Sequence, residues 1–89
     1  MRLVKINAMW CPSCLIMNKT YEKIAQDYNL DLISYDYDFD EDEVKKYNIG
    51  DTLPVLIIFD EDIELYRFIG EKKYNEISSK IEELINENK

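Results

Sequence analysis

The sequence predicts an α/β layered domain, a mixed four-stranded sheet with helices packed on it in the order β-α-β-α-β-β-α. Three observations predict this. Apolar side chains recur at three- and four-residue steps between residues 12 and 28, the spacing of one helix face. Val55, Leu56, Ile57, Ile58 and Phe59 form an unbroken apolar run, as a strand buried on both faces would. The front of the chain reads strand, helix, strand, which implies a parallel pair joined by a right-handed crossover.

Leu3, Val4 and Ile6 place the first strand at 2–7. Pro12 suits a first helical turn, where its missing N–H costs nothing. Cys14, Met17, Tyr21, Ile24, Ala25 and Tyr28 then share a face, giving a helix at 12–28 that Asn29 stops. Leu30, Leu32, Ile33, Tyr35 and Tyr37 predict a strand at 31–37. Asp40 with Glu43 resembles a capping box before a short helix at 41–47. Asn48-Ile49-Gly50-Asp51 is a turn signal. The run after Pro54 and the segment Ile63–Phe68, split by Asp60-Glu61-Asp62, predict an antiparallel hairpin ended by Gly70. Tyr74, Ile77, Ile81, Leu84 and Ile85 predict a last helix at 73–87.

At 89 residues the chain is sized for one domain, taken as 1–89. With 46% hydrophobic and 34% charged residues it can build a core and a soluble surface. Two Gly and two Pro leave little room for linkers. A net charge of −8 argues against nucleic acid and anionic membranes as partners. No apolar segment approaches the roughly 20 residues of a membrane span. The start, Met1-Arg2-Leu3-Val4-Lys5-Ile6-Asn7, has no apolar signal-peptide core, so a cytoplasmic monomer is expected. The absence of His removes every Ser–His or Cys–His arrangement.

The chemistry lies in Trp10-Cys11-Pro12-Ser13-Cys14, where a strand hands over to a helix. A disulfide needs Cα atoms about 4.4–6.8 Å apart, and two intervening residues at a helix start can meet that. Cys11 falls at the helix N-terminus, where unpaired N–H groups favour an anion, so it is the candidate nucleophile. Cys14 lies one turn in, on the buried stripe, and suits attack on a mixed disulfide from inside. A bare C-x-x-C is a weak pattern, but one opening a helix after a strand is strong. Two buried structural cysteines, or half a zinc site, are the competing readings. Zinc would need two more ligands than this chain's Cys and His provide, and no metal is expected.

With these residues on the page, the sequence resembles the thioredoxin family. The resemblance covers nearly the whole chain and rests on Trp10-Cys11-Pro12-Ser13-Cys14, Thr52-Leu53-Pro54 before the buried strand, and Gly70 after the hairpin. It implies a minimal thioredoxin-like fold with helices on both sheet faces, and a cis Leu53–Pro54 bond facing the cysteines. It also implies that Trp10, Pro12, Ser13, Leu53 and Pro54 contact substrate, with the Leu53 backbone pairing to an extended segment. The implied activity is thiol–disulfide oxidoreduction without metal or organic cofactor. The implied partners are disulfide-bearing proteins and a recycling reductase or small thiol. A glutathione-coupled enzyme of the glutaredoxin kind, or a non-catalytic binding module on the same fold, are the alternatives.

There are departures. Thioredoxins usually extend further at the N-terminus, and this short layout is more like glutaredoxin. Yet Glu71-Lys72-Lys73-Tyr74 lacks the Gly-Gly and Asp pattern with which glutaredoxins hold glutathione. Thioredoxins often carry a buried Asp six residues before the first Cys, and Lys5 stands there instead. A cation reaching the site would favour thiolate, whereas a Lys turned to solvent would have no bearing. Asp36, Asp38, Asp40 and Asp42 alternate as in a calcium loop but lack its Gly and Glu, and read as a solvated acidic edge. Tyr35, Tyr37 and Phe39 between them are expected to face inward. Met9, Trp10, Leu15 and Ile16 either form an apolar patch around Cys11 or are covered by sheet or loop.

Overall fold

The structure, a computed structural model, describes residues 1–87. Its elements are β1 (Arg2–Asn7), α1 (Pro12–Asp27), β2 (Asp31–Asp36), α2 (Glu41–Lys45), β3 (Val55–Asp60), β4 (Ile63–Ile69) and α3 (Tyr74–Glu87). The sheet order is β2-β1-β3-β4. β1 runs parallel to β2 and antiparallel to β3, and β3 and β4 form the antiparallel hairpin. The predicted element order and mixed sheet are those observed, with α2 two residues shorter than expected.

Strand alternation sorts the apolar residues into two layers. Leu3, Leu56, Ile58 and Phe68 face one side, against Met17, Tyr21, Ile24 and Ala25 of α1 and Ile77, Ile81 and Leu84 of α3. Val4, Ile6, Val55, Ile57 and Phe59 face the other, under Val44 of α2. Each fully buried Ile or Leu contributes about 1.5–3 kcal/mol relative to exposure. The helices therefore cover both faces, and β1 and β3 are the buried strands.

The loop chemistry explains where elements stop. Asn29 adopts φ 53°, so α1 ends as its sequence predicts. The Leu30 N–H reaches the Ala25 carbonyl at 2.8 Å and the Asn29 N–H reaches Gln26 at 3.3 Å, closing the last turn in a Schellman motif. Gly70, at φ 85°, ends β4, and its N–H reaches the Pro54 carbonyl at 2.8 Å.

Two local expectations fail. The Asp40 side chain caps nothing in α2. Its carboxylate instead accepts the Asp36 N–H at 2.8 Å, while Asp36 Oδ1 accepts the N–H groups of Asp38 and Phe39 at 2.8 and 3.0 Å. These side chains tie a turn rather than start a helix. That turn also ends strand alternation after Asp36, so Phe39 is 78% exposed instead of inward. Tyr35 and Tyr37 do pack against the α2 layer.

Candidate active site

β1 delivers the chain to the start of α1, and Ala8, Cys11 and Cys14 form a small buried cluster there, with Tyr37 and Leu53 packed on it. Cys11 is the N-cap of α1, with extended backbone, and Pro12 follows in the first turn. The Cys11 Sγ accepts the Cys14 N–H at 3.2 Å. Sulfur thus takes the place of the usual capping oxygen, on one of the unpaired N–H groups of the first turn. An anionic acceptor there gains from the helix dipole and makes the stronger bond.

Both cysteines are free thiols, Cys11 at 6% and Cys14 at 1% exposure. Burial pushes the Cys14 thiol up to about 12, helped by its side-chain bond with Cys11 and by the charges of Cys11 and Asp36. The Ala8 backbone opposes this in part. Cys14 is therefore held as a thiol behind Cys11.

The predicted substrate-contacting residues are not all alike. Trp10 is 61% exposed, and its Nε1–H donates to Asp38 Oδ2 at 2.6 Å. Its ring meets Tyr37 edge-on, with centroids 6.4 Å apart. Met9, Leu15 and Ile16 are exposed as well, so none of the described residues covers these apolar side chains. Pro12 is exposed, and the Ser13 hydroxyl donates to Glu71 Oε2 at 3.2 Å. The Leu53–Pro54 bond is cis. Leu53 is half-buried against the cysteines, whereas the Pro54 ring is fully buried and is not open to contact.

Lys5 does not point to solvent. It is buried, and Nζ donates to Asn18 Oδ1 at 3.1 Å. Burial pulls its ammonium below the ordinary range, against the charges of Glu22 and Cys14. The Tyr21 hydroxyl is buried with no hydrogen-bond partner among the described residues, and burial pushes it up. Sequence reading missed Ala8, Asn18, Tyr37, Asp38 and Glu71 as parts of this site. Only Asn18 carried a signal, as a polar residue one turn after Cys14 beside an apolar stripe.

Among the described residues no group of three or more His, Cys, Asp or Glu is placed to hold a metal ion. A concavity of about 490 Å³ lies along α2, lined by Tyr37, Val44 and Ile49 among others, and neither cysteine lines it. No helix among the described residues is long and apolar enough to cross a membrane.

Solved structures share this fold. A solved structure of thioredoxin 1 from Thermosipho africanus shares the fold with a TM-score of 0.84 at 23% identity, covering 100% of both chains. The glutaredoxin-like size is thus also the size of a solved thioredoxin. Thioredoxin from Trypanosoma brucei brucei aligns with a TM-score of 0.83 at 24% identity, over 96% of this chain and 74% of that one. A malaria-parasite thioredoxin-2 gives 0.83 at 22% identity, over 91% and 80%. No curated protein matches the chain. The family model described as Thioredoxin matches residues 1–83. The chain therefore belongs to the thioredoxin family, whose chemistry is thiol–disulfide oxidoreduction.

Proposed function

We propose that this protein is a dithiol disulfide reductase, with Cys11 as nucleophile and Cys14 as resolving cysteine. The Cys11 thiolate attacks one sulfur of a substrate disulfide, forms a mixed disulfide and releases the first substrate thiolate. Cys14, deprotonated, then attacks the Cys11 sulfur. The Cys11–Cys14 bond forms, the bond to substrate breaks, and the second thiolate leaves and takes up a proton. Two electrons pass from the protein to the substrate. A reductase protein or a small thiol returns the pair to the dithiol state.

The observation that carries this reading is the asymmetry of the two sulfurs. One caps the start of a helix at 3.2 Å from a backbone N–H, and the other is buried one turn behind it. The exposed Met9, Trp10, Leu15 and Ile16 suit a protein substrate presenting an extended apolar segment.

The test is reduction of a protein disulfide with dithiothreitol as donor. The wild-type chain should accelerate it, and Cys11→Ser should abolish the acceleration. Cys14→Ser should accumulate a mixed disulfide on Cys11. A reduction potential between about −270 and −200 mV fits a reductase, and one near −120 mV fits an oxidant instead. Full turnover of glutathione mixed disulfides by Cys14→Ser would assign the glutathione-coupled activity and overturn the dithiol mechanism.

A further inference from the structure

Lys5 is the one charged side chain that the fold buries among the described residues, at 8% exposure. Strand alternation puts it on the α1 face of β1, beside Leu3. It lies in register with Ser34 of β2 and Leu56 of β3. Its Nζ has three protons to donate, and Asn18 Oδ1 is the acceptor it finds. None of the ion pairs among the described residues includes it.

A buried ammonium is costly without a partner charge. The anchor on Asn18 sets where that charge can come from. Asn18 follows Cys14 by one helical turn, so both lie along the same edge of α1. Cys14 is neutral while it is a thiol and negative only while it attacks. The charge of Glu22 and, after it, that of a Cys14 thiolate favour Lys5 as an ammonium, and the attraction between opposite charges is mutual.

We propose that Lys5 is a positioning residue for the resolving step, its buried ammonium supplying the counter-charge for the Cys14 thiolate as that sulfur attacks the mixed disulfide. This rests on the dithiol mechanism above. The Cys14 proton goes to solvent, the thiolate displaces the substrate sulfur from Cys11, and the departing thiolate is protonated from solvent. The other ionisable groups bearing on the pair are Glu22 of α1, which also favours the ammonium, and Cys11 and Asp36, which oppose the thiolate. The Tyr21 phenol lies within the influence of both cysteines as well.

The experiment uses a chromogenic aromatic disulfide, dithiobis-nitrobenzoate, mixed with the reduced full chain in a stopped-flow instrument. The first thiolate released reports Cys11 attack and the second reports Cys14. In Lys5→Met the second release should be about tenfold slower at neutral pH, with the first unchanged and the second-step profile moved about one pH unit alkaline. Lys5→Arg should restore it. Asn18→Asp keeps the side-chain shape but gives Lys5 a competing carboxylate, so it should also slow the second release alone. This second variant serves if Lys5→Met does not fold. Equal slowing of both releases, or an unchanged second release in Asn18→Asp, overturns the proposal. A wild-type chain that never gives a second release overturns the dithiol mechanism itself.

Discussion

Cys14 should be one of the least reactive thiols a folded protein can offer at neutral pH. Burial and its neighbours push it up to about 12 from 9.0. Each unit is a factor of ten in thiolate, so three units leave about a thousandfold less thiolate than an ordinary cysteine holds. The perturbation that isolates it is Cys11→Ser, which removes the second-largest cause, the Cys11 sulfur, and leaves burial, the largest. We expect alkylation of Cys14 by iodoacetamide to be at least about a hundredfold slower than that of a cysteine peptide at pH 7. Mass spectrometry over a pH series reads the rate. It should climb about tenfold per unit beyond pH 9, where the peptide levels off. The same shift has a sign for stability. Between pH 9 and about 12 the unfolded chain has lost the Cys14 proton that the folded chain keeps, so stability falls as pH rises through this window. A plateau near pH 9, or a rate within about tenfold of the peptide, would refute the desolvation argument.

Other outcomes follow from the same packing. Ile81→Ala removes a fully buried side chain between α3 and the sheet, and should cost about 2–5 kcal/mol in urea unfolding. Gly70→Ala puts a Cβ on a residue at φ 85°, and should cost about 1–2 kcal/mol in the same assay although the Cβ itself would make only an ordinary contact, 4.0 Å from the Thr52 methyl. Asp38→Asn weakens the exposed bond from Trp10, the chain's single tryptophan. Its indole N–H resonance should exchange faster with solvent, while stability changes by less than about 1 kcal/mol.

The parts legible in the sequence were those set by local periodicity. Pro12, the stripe from Cys14 to Ala25 and Asn29 wrote the start, face and end of α1. The run Val55–Phe59 wrote a buried strand because no solvated face interrupts it. The cysteine pair was legible because its two members sit three residues apart at a strand-to-helix junction. What could not be read depended on contacts distant in sequence. Alternation put Lys5 on Leu3's face, but which face meets α1 depends on the whole sheet. The bond from Ser13 to Glu71 spans 58 residues and the one from Trp10 to Asp38 spans 28. Phe39 was misplaced because Asp36 and Asp40 spend their carboxylates on a tight turn, and period-two reading assumes that a strand continues.

The sulfur cap on α1 also gives the molecule a built-in reporter. In the proposed mechanism one atom, the Cys11 Sγ, both enters the chemistry and accepts the Cys14 N–H. Its capacity as an acceptor is greatest as a thiolate and least once it is spent in a bond to another sulfur. The first turn of α1 is therefore closed most firmly in the state ready to react. A single backbone amide, with no dye or label attached, should register in its exchange rate which stage of the cycle each molecule occupies.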